Sequence, residues 1–172
     1  MLFDQVLGNV FDDPDRYSGR EHDRVPMQWR DCSRRAVRAM SERGLRVDVL
    51  LPLGRSLRHG DVLSDDGTAI VVVDVVPCEV LVADFADAAS LASAALELGN
   101  LHVPAEAPGG LQLVTLPDGP VRGMLERYAC GSRILLRRFA PLRATVLASN
   151  VGLAPSFRVM RRDDAQLINS RE

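Results

Sequence analysis

Three histidines are the side chains of this 172-residue sequence best suited to bind a transition-metal ion. His102, in the stretch LELGNLHVPAE, follows a predicted helix and precedes Val103-Pro104, where a proline stops further helix. His22, in REHDR, is expected in a solvated loop, and His59, in LRHGD, at a solvent-exposed turn. Because a helix end is a rigid support, His102 is the candidate metal ligand.

One imidazole makes a poor metal site, because borderline divalent cations prefer several nitrogen or sulfur donors. On general grounds, a lone histidine such as His102 is more often a surface or interface residue than a ligand. A homodimer with its two-fold axis through this surface would change that balance, since symmetry would bring two copies of His102 together. A shared site of this kind is the most economical metal site for a chain with so few histidines.

The three cysteines, Cys32, Cys78 and Cys130, are far apart and include no CxxC pair. An odd number of widely spaced cysteines favours a reducing cytoplasm over a disulfide framework. We therefore expect them to act as small buried hydrophobic residues.

The sequence contains no GxSxG, HExxH, P-loop or GxGxxG motif. The paired carboxylates of Asp65 and Asp66, in SDDG, and those of DDPD at residues 12–15, are typical of turns. A Cys–His pair assembled by the fold remains open, but nothing in the sequence favours one. We therefore predict that the protein is not an enzyme.

The composition favours a folded, soluble protein. The hydrophobic share of 47% is enough for a packed core, and a net charge of −2 argues against general binding to nucleic acid. The N-terminus lacks a basic start followed by an apolar run, and no stretch approaches the roughly 20 apolar residues that span a bilayer. A cytoplasmic location without membrane attachment is predicted.

The first half of the chain is predicted to be β structure. Hydrophobic residues alternate along Leu45–Leu51, which is typical of a strand with one buried face. The turn Ser41–Gly44 would join it to Arg35–Met40, a segment whose local sequence fits a strand or a short helix. A second turn, Ser64–Thr68, separates Asp61–Leu63 from the β-branched run at residues 69–76. Short strands with frequent turns predict a small sandwich or open barrel.

The chain from Pro77 alternates strands and helices. Asp87 is expected to cap a helix that runs to Leu98 and stops at Gly99, and Asp118 to cap a second helix with Pro120 in its first turn. Strands are expected at Cys78–Asp84, His102–Ala105, Leu111–Thr115 and Arg133–Phe139. This βαββαβ order is the ferredoxin-like arrangement, so the predicted fold class is α+β.

Four stretches together resemble the urease accessory protein UreE family, the nickel metallochaperones of urease maturation. They are LPLGRSLRHGDVLSDDG at Leu51–Gly67, EVLVAD, LGNLHVP and LPDGPVRGMLERY. The similarity runs from about Arg24 to about Val146, and the stretches occur in family-like order and spacing. Each is moderately specific, whereas their joint occurrence is strongly so.

The resemblance implies an all-β, peptide- or partner-binding domain at residues 1–76. It also implies a ferredoxin-like metal-binding and dimerisation domain at 77–146, leaving 147–172 as a mobile tail. His102 in GNLHVP maps onto the histidine of the family motif GNRHxP, which binds nickel at a homodimer interface. The implied partners are the nickel-carrying accessory GTPase and apo-urease. The family also places residues 35–40 in a strand.

Two departures from the family bear on the site. Leu101 replaces the arginine of GNRHxP, which removes a positive charge beside the histidine. Residues 141–172 contain no histidine, whereas many family tails do, so only Asp163, Asp164 or Glu172 could add ligands. The site is therefore expected to be sparse, and zinc or copper could also bind it. The first alternative is a dimeric interaction scaffold of the urease maturation complex with weak or lost nickel binding. A small hydrolase is the least favoured alternative, because fold alone does not confer chemistry.

Overall fold

The computed structural model describes residues 1–142, in which strands predominate, two α-helices lie in the second half and one 3₁₀ turn spans Asp15–Tyr17. The strands are β1 (Leu2–Phe3), β2 (Gly8–Asn9), β3 (Glu21–Met27), β4 (Ala36–Met40), β5 (Arg46–Leu50), β6 (Asp61–Asp65), β7 (Ala69–Val75), β8 (Cys78–Asp84), β9 (Ala105–Glu106), β10 (Gln112–Thr115) and β11 (Gly131–Arg137); the helices are α1 (Ala88–Asn100) and α2 (Gly119–Leu125).

Two sheets form the N-terminal region. One has the strand order β1-β5-β4, and the other has the order β2-β6-β7-β3, with β3 parallel to β7. Val25, Val47 and Val73 are fully buried in one cluster that draws side chains from both sheets. The predicted all-β region with a sandwich-like core is confirmed, because hydrophobic residues alternate along the strands and point to a shared interior.

The ambiguous segment before the first hairpin turn is a strand. β4 pairs antiparallel with β5 from Ala36 opposite Leu50 to Met40 opposite Arg46. In the connecting turn, Ser41 Oγ donates to Asp23 and accepts the N–H of Leu45. Long-range pairing therefore overrides the local helical preference, as the family resemblance implies.

The second region is ferredoxin-like, as predicted. Its four-stranded antiparallel sheet has the order β11-β8-β10-β9, and both helices pack on one face. Leu98 from α1, Leu125 from α2 and Leu81 from β8 are buried together there. The apolar stripes of the two helices, read from the sequence, therefore face this sheet.

In the ferredoxin-like region, two of the predicted strands have the wrong bounds by more than one residue. The strand predicted at His102–Ala105 is confined to Ala105–Glu106, because residues 98–103 close the turn that ends α1. The strand predicted at Arg133–Phe139 begins at Gly131 and ends at Arg137. Phe139 leaves the strand and packs on the opposite sheet face, where its ring meets Trp29 edge-on at 5.1 Å between centroids.

The cysteines differ in their surroundings. Cys32 is buried, whereas Cys78 is partly buried and Cys130 is exposed. The expectation of three buried thiols is therefore wrong for the last two. Cys130 follows α2 at the sheet edge, where its Sγ lies 3.2 Å from the carbonyl oxygen of Asp84.

Neither helix in the described part of the chain is long and apolar enough to cross a membrane. The tail predicted to be mobile, residues 147–172, lies outside the described residues.

Substitution of Phe139 tests the packing between the two regions, and substitution of the exposed Phe11 is the matched control. Phe139 is 1% exposed and Phe11 is 65% exposed. Phe139→Ala should lower the free energy of unfolding by about 3–5 kcal/mol, because it removes a buried ring and leaves a cavity. Phe11→Ala should change it by less than about 0.5 kcal/mol. Urea unfolding measures both; equal losses would contradict the burial of Phe139.

Candidate metal site

The start and packing of α1 hold the candidate ligand in place. The Asp87 carboxylate accepts the backbone N–H of Ser90 at 2.8 Å, which caps the helix as predicted. Ala94 and Leu98 are buried against the sheet. The far end of α1 is therefore fixed by the hydrophobic core.

The helix ends two residues later than predicted, in a Schellman turn. Helical residues continue through Gly99 to Asn100, and the N–H of Val103 donates to the carbonyl of Leu98 at 2.9 Å. The N–H of His102 donates to the carbonyl of Gly99 at 3.0 Å. Leu98 and Val103 pack in the same cluster, which is the hydrophobic contact that accompanies this turn.

His102 occupies the left-handed position of that turn. Its φ is +54°, and no other residue except glycine has a positive φ in the described range. Glycine usually fills this position because a side chain strains the left-handed conformation, although histidine is among the residues that tolerate it. The prediction that Gly99 stops the helix is therefore wrong: Gly99 lies inside the helix, and His102 makes the turn.

The His102 imidazole faces solvent. The residue is exposed, and its ring makes no hydrogen bond or ion pair within residues 1–142. No group of three or more histidine, cysteine, aspartate or glutamate side chains in that range is arranged to hold a metal. At the end of α1, one chain thus offers one free imidazole on a rigid backbone, and further ligands of a metal there must come from another part of the chain or from a second chain.

Nearby carboxylates are committed to other contacts. Glu97 Oε1 lies 2.7 Å from Arg127 Nη2, whereas Glu97 Oε2 is buried without a hydrogen-bond partner among residues 1–142. Glu106 accepts hydrogen bonds from Arg137 Nη2 at 2.5 Å and from the N–H of Ala140 at 3.3 Å. Both side chains therefore brace the fold beside the turn.

The exposed face of α1 carries no charge. It is formed by small or apolar side chains and continues to Leu101, which is 58% exposed. Its members are Ala88, Ala89, Ala92, Ser93 and Leu96. The surface beside His102 therefore repels neither a cation nor a second copy of itself.

The other two histidines lie elsewhere, and their predicted settings are partly right: His22 is exposed and His59 lies in a turn, as predicted. His22 is exposed on strand β3, not in a loop. His59 is half-buried: its Nδ1 accepts the N–H of Val75 at 3.3 Å and lies 3.4 Å from Asp74 Oδ1.

Burial lowers the pKa of His59, and the positive charges of Arg138 and Arg24 lower it further, while Asp74 opposes the shift. His59 and His22 line one groove together with Phe11. The sequence prediction missed this groove. The one signal available was the alternation in REHDR, which places His22 and Arg24 on the same strand face.

Two sequence models of protein families match consecutive parts of the chain. The model described as the UreE urease accessory protein, N-terminal domain, matches residues 3–75. The model described as the C-terminal domain of the same protein matches residues 78–152. These matches confirm the resemblance drawn from the four motifs.

Curated proteins named urease accessory protein UreE are similar along much of the chain. The protein from Corynebacterium efficiens is 31% identical over 131 residues, which cover 74% of this chain and 85% of that protein. The protein from Bacillus cereus is 29% identical over 144 residues, 81% of this chain and 95% of that protein. The protein from Paenarthrobacter aurescens is 32% identical over 107 residues, 62% and 68% respectively.

The strain at His102 predicts an order of stabilities. His102→Gly should be more stable than His102→Ala by about 1 kcal/mol, because glycine adopts the left-handed conformation without a steric penalty. Both substitutions remove the imidazole. Chemical denaturation of the two variants measures the difference; an alanine variant as stable as the glycine variant would contradict the left-handed assignment.

The lowered pKa of His59 predicts acid sensitivity. The unfolded chain should bind a proton near the ordinary value of about 6.5, before the folded chain does, so stability should fall as the pH falls through this value. The loss should level off below the folded-state pKa. Urea unfolding between about pH 7.5 and about pH 5 measures the slope. His59→Asn should show a shallower slope, and an unchanged slope would contradict the assignment.

Proposed function

We propose that this chain, which belongs to the UreE family of urease accessory proteins, binds nickel with His102 at a homodimer interface and delivers it for assembly of the urease active site. The observation that carries the proposal is the exposed, uncommitted imidazole held by a strained turn at the end of α1. Backbone strain that the surrounding structure maintains is a feature of functional sites.

The proposed dimer pairs the uncharged faces of α1. A two-fold axis beside the end of this helix would bury Leu96 and Leu101 and bring two copies of His102 together. Two exposed leucines on a face without charges are the kind of surface that a homodimer covers. The fit to nickel rests on the donor type, because neutral imidazole nitrogen suits nickel, zinc and copper.

The proposed mechanism uses the small number of ligands. Two imidazoles leave several coordination positions of the nickel ion to water or to carboxylates. An acceptor protein can therefore add its own ligand before His102 dissociates from the ion. Acid competes for the same nitrogen, because imidazole binds metal only when it is neutral. In each chain, the His102 side chain therefore both binds the nickel ion and releases it.

Oxygen ligands could come from the end of the chain. The N–H of Leu142 donates to the carbonyl of Ala105 at 2.7 Å, so the last described residue lies beside the strand that follows His102. The sequence beyond it contains Asp163, Asp164 and Glu172. Their carboxylates would complete the site less tightly than histidines would.

The proposed division of labour follows the two regions. Residues 1–76 would bind partners, and residues 77–146 would bind metal and form the dimer. The partners would be the accessory GTPase and apo-urease, encountered in the cytoplasm, and the chain would act as a carrier without catalysing a reaction. The Trp29–Phe139 contact links the two parts.

A second candidate function is a dimeric scaffold of the urease maturation complex with weak or lost nickel binding. The absence of histidine from residues 141–172 favours it. The two functions differ in one measurement, because a scaffold would dimerise without retaining nickel in equilibrium dialysis.

Nickel titration followed by light scattering tests the carrier proposal. The full chain should bind one ion per dimer, and His102→Gly should abolish this binding while the dimer persists. His22→Asn is the matched control, because it removes an exposed imidazole from another surface and should leave nickel binding intact. Undiminished binding by the His102 variant would exclude His102 as the ligand. A wild-type dimer that retains no nickel would favour the scaffold.

A further inference from the structure

A groove in the N-terminal region, which we call the basic groove, has no part in the proposed metal site. It has a volume of about 360 Å³ and is lined by Phe11, His22, Arg24, His59, Asp74 and Arg138, together with valine side chains. Its walls come from the segment after β2, from β3, from β7 and from the chain just beyond β11. His102 is not among the lining residues.

The basic groove carries one uncompensated positive charge. Arg138 Nη2 lies 2.9 Å from Asp74 Oδ1, so these two charges cancel. Arg24 is exposed, and its guanidinium makes no ion pair or hydrogen bond with any side chain in the described residues. Because burial lowers the pKa of His59, its ring favours the neutral form and adds no second positive charge to the groove.

One wall of the groove is an aromatic ring that faces solvent. Phe11 is 65% exposed, and its ring centroid lies 5.1 Å from that of His59, with the ring planes inclined at 38°. Such a ring gains little from the core of its own chain. It offers instead an apolar surface directly beside the polar groups of the groove.

A buried polar network holds this wall in place. Asn9 is 5% exposed, and its Oδ1 accepts the N–H of Phe11 at 2.9 Å. Its Nδ2 donates to the carbonyl of His59 and to Asp61 Oδ1, both at 2.9 Å. One buried side chain therefore fixes the backbone under both rings.

Gly60 makes the close contact between the rings and the strand possible. Its φ is +85°, and a Cβ atom at this position would lie 2.5 Å from Phe11 Cδ2 and 2.9 Å from Asn9 Oδ1. Any side chain here would displace the ring or the amide. The groove is thus formed before a ligand arrives, which reduces the ordering cost of binding.

We propose that the basic groove binds an acidic segment of a partner protein, with a carboxylate paired to Arg24 and a neighbouring apolar side chain packed on Phe11. Charge complementarity selects the occupant, because an unpaired guanidinium prefers a carboxylate and repels a metal ion. The exposure of Phe11, His22 and Arg24 favours a protein segment over a small molecule, since a small-ligand site would enclose most of its ligand.

The probe is a synthetic peptide of alternating aspartate and leucine residues, titrated into the ¹⁵N-labelled full chain and followed by NMR. The amide signals of Phe11 and Gly60 should shift, and the shifts should weaken with added salt. Arg24→Gln should reduce the affinity about tenfold, because it removes a charge-assisted hydrogen bond. Phe11→Ala should reduce it as well.

Arg35→Gln is the matched control. Arg35 is exposed, and its side chain forms no ion pair or hydrogen bond in the described part of the chain, so the variant removes the same charge from another surface. It should bind the peptide as the wild type does. Equal loss in the two arginine variants would overturn the proposal, because binding would then follow net charge alone.

Two further titrations test whether the groove recognises the peptide's carboxylates, and whether it prefers a protein segment to a free anion. A peptide with asparagine in place of aspartate should not shift the groove signals, and equal binding of it would overturn the carboxylate pairing. If sodium acetate or sodium phosphate reproduced the peptide's shifts at similar concentration, the groove would be a site for free anions. That result would overturn the proposal that a protein segment occupies it. Nickel binding by Arg24→Gln should match the wild type, so this result is independent of the proposed carrier function.

Discussion

The six-residue turn from Leu98 to Val103 determines the geometry of the ferredoxin-like region. Its two backbone hydrogen bonds close the end of α1, and the contact between Leu98 and Val103 ties that closure to the core. The reversal returns the chain to the sheet, where β9 and β10 then pair. His102 lies at the left-handed residue of the same turn, so the backbone beneath its imidazole is as rigid as the packing of the helix on the sheet.

Local signals in the sequence were sufficient for most elements. Asp87 and Asp118 cap the helices as predicted, and the strand Cys78–Asp84 has the predicted bounds. The predicted end of α1 is wrong because the position of a Schellman turn depends on a tertiary contact. Here the contact of Leu98 with Val103 lets the helix continue through Gly99. The segment 35–40 was ambiguous for the same reason, since its pairing partner decides its conformation.

The basic groove could not be predicted because its parts are distant in sequence. Asn9 contacts the backbone of His59, fifty residues away, and Arg138 reaches Asp74 from sixty-four residues away. Each residue taken alone has an ordinary surface or turn role. Only the pairing of β3 with β7 and the return of the chain after β11 bring these charges to one surface. The place of His102, just after a helix, could be predicted from the sequence because its signals are local; its role as a metal ligand stays a prediction.

The residues at the end of α1 are arranged against their own conformational preferences, which is an argument for function. Gly99 lies inside the helix, where glycine costs about 1 kcal/mol relative to alanine. Three residues later, His102 occupies the left-handed position where glycine would remove a strain of about 1–2 kcal/mol. A Cβ at Gly99 would meet no heavy atom within 4 Å, so packing does not require glycine there. Two local preferences are thus violated within four residues. The contact between Leu98 and Val103 sets the position of the turn, but it does not require glycine at 99 or histidine at 102. Such conflicts concentrate at functional sites, and the imidazole is the side chain in this stretch with chemistry to offer.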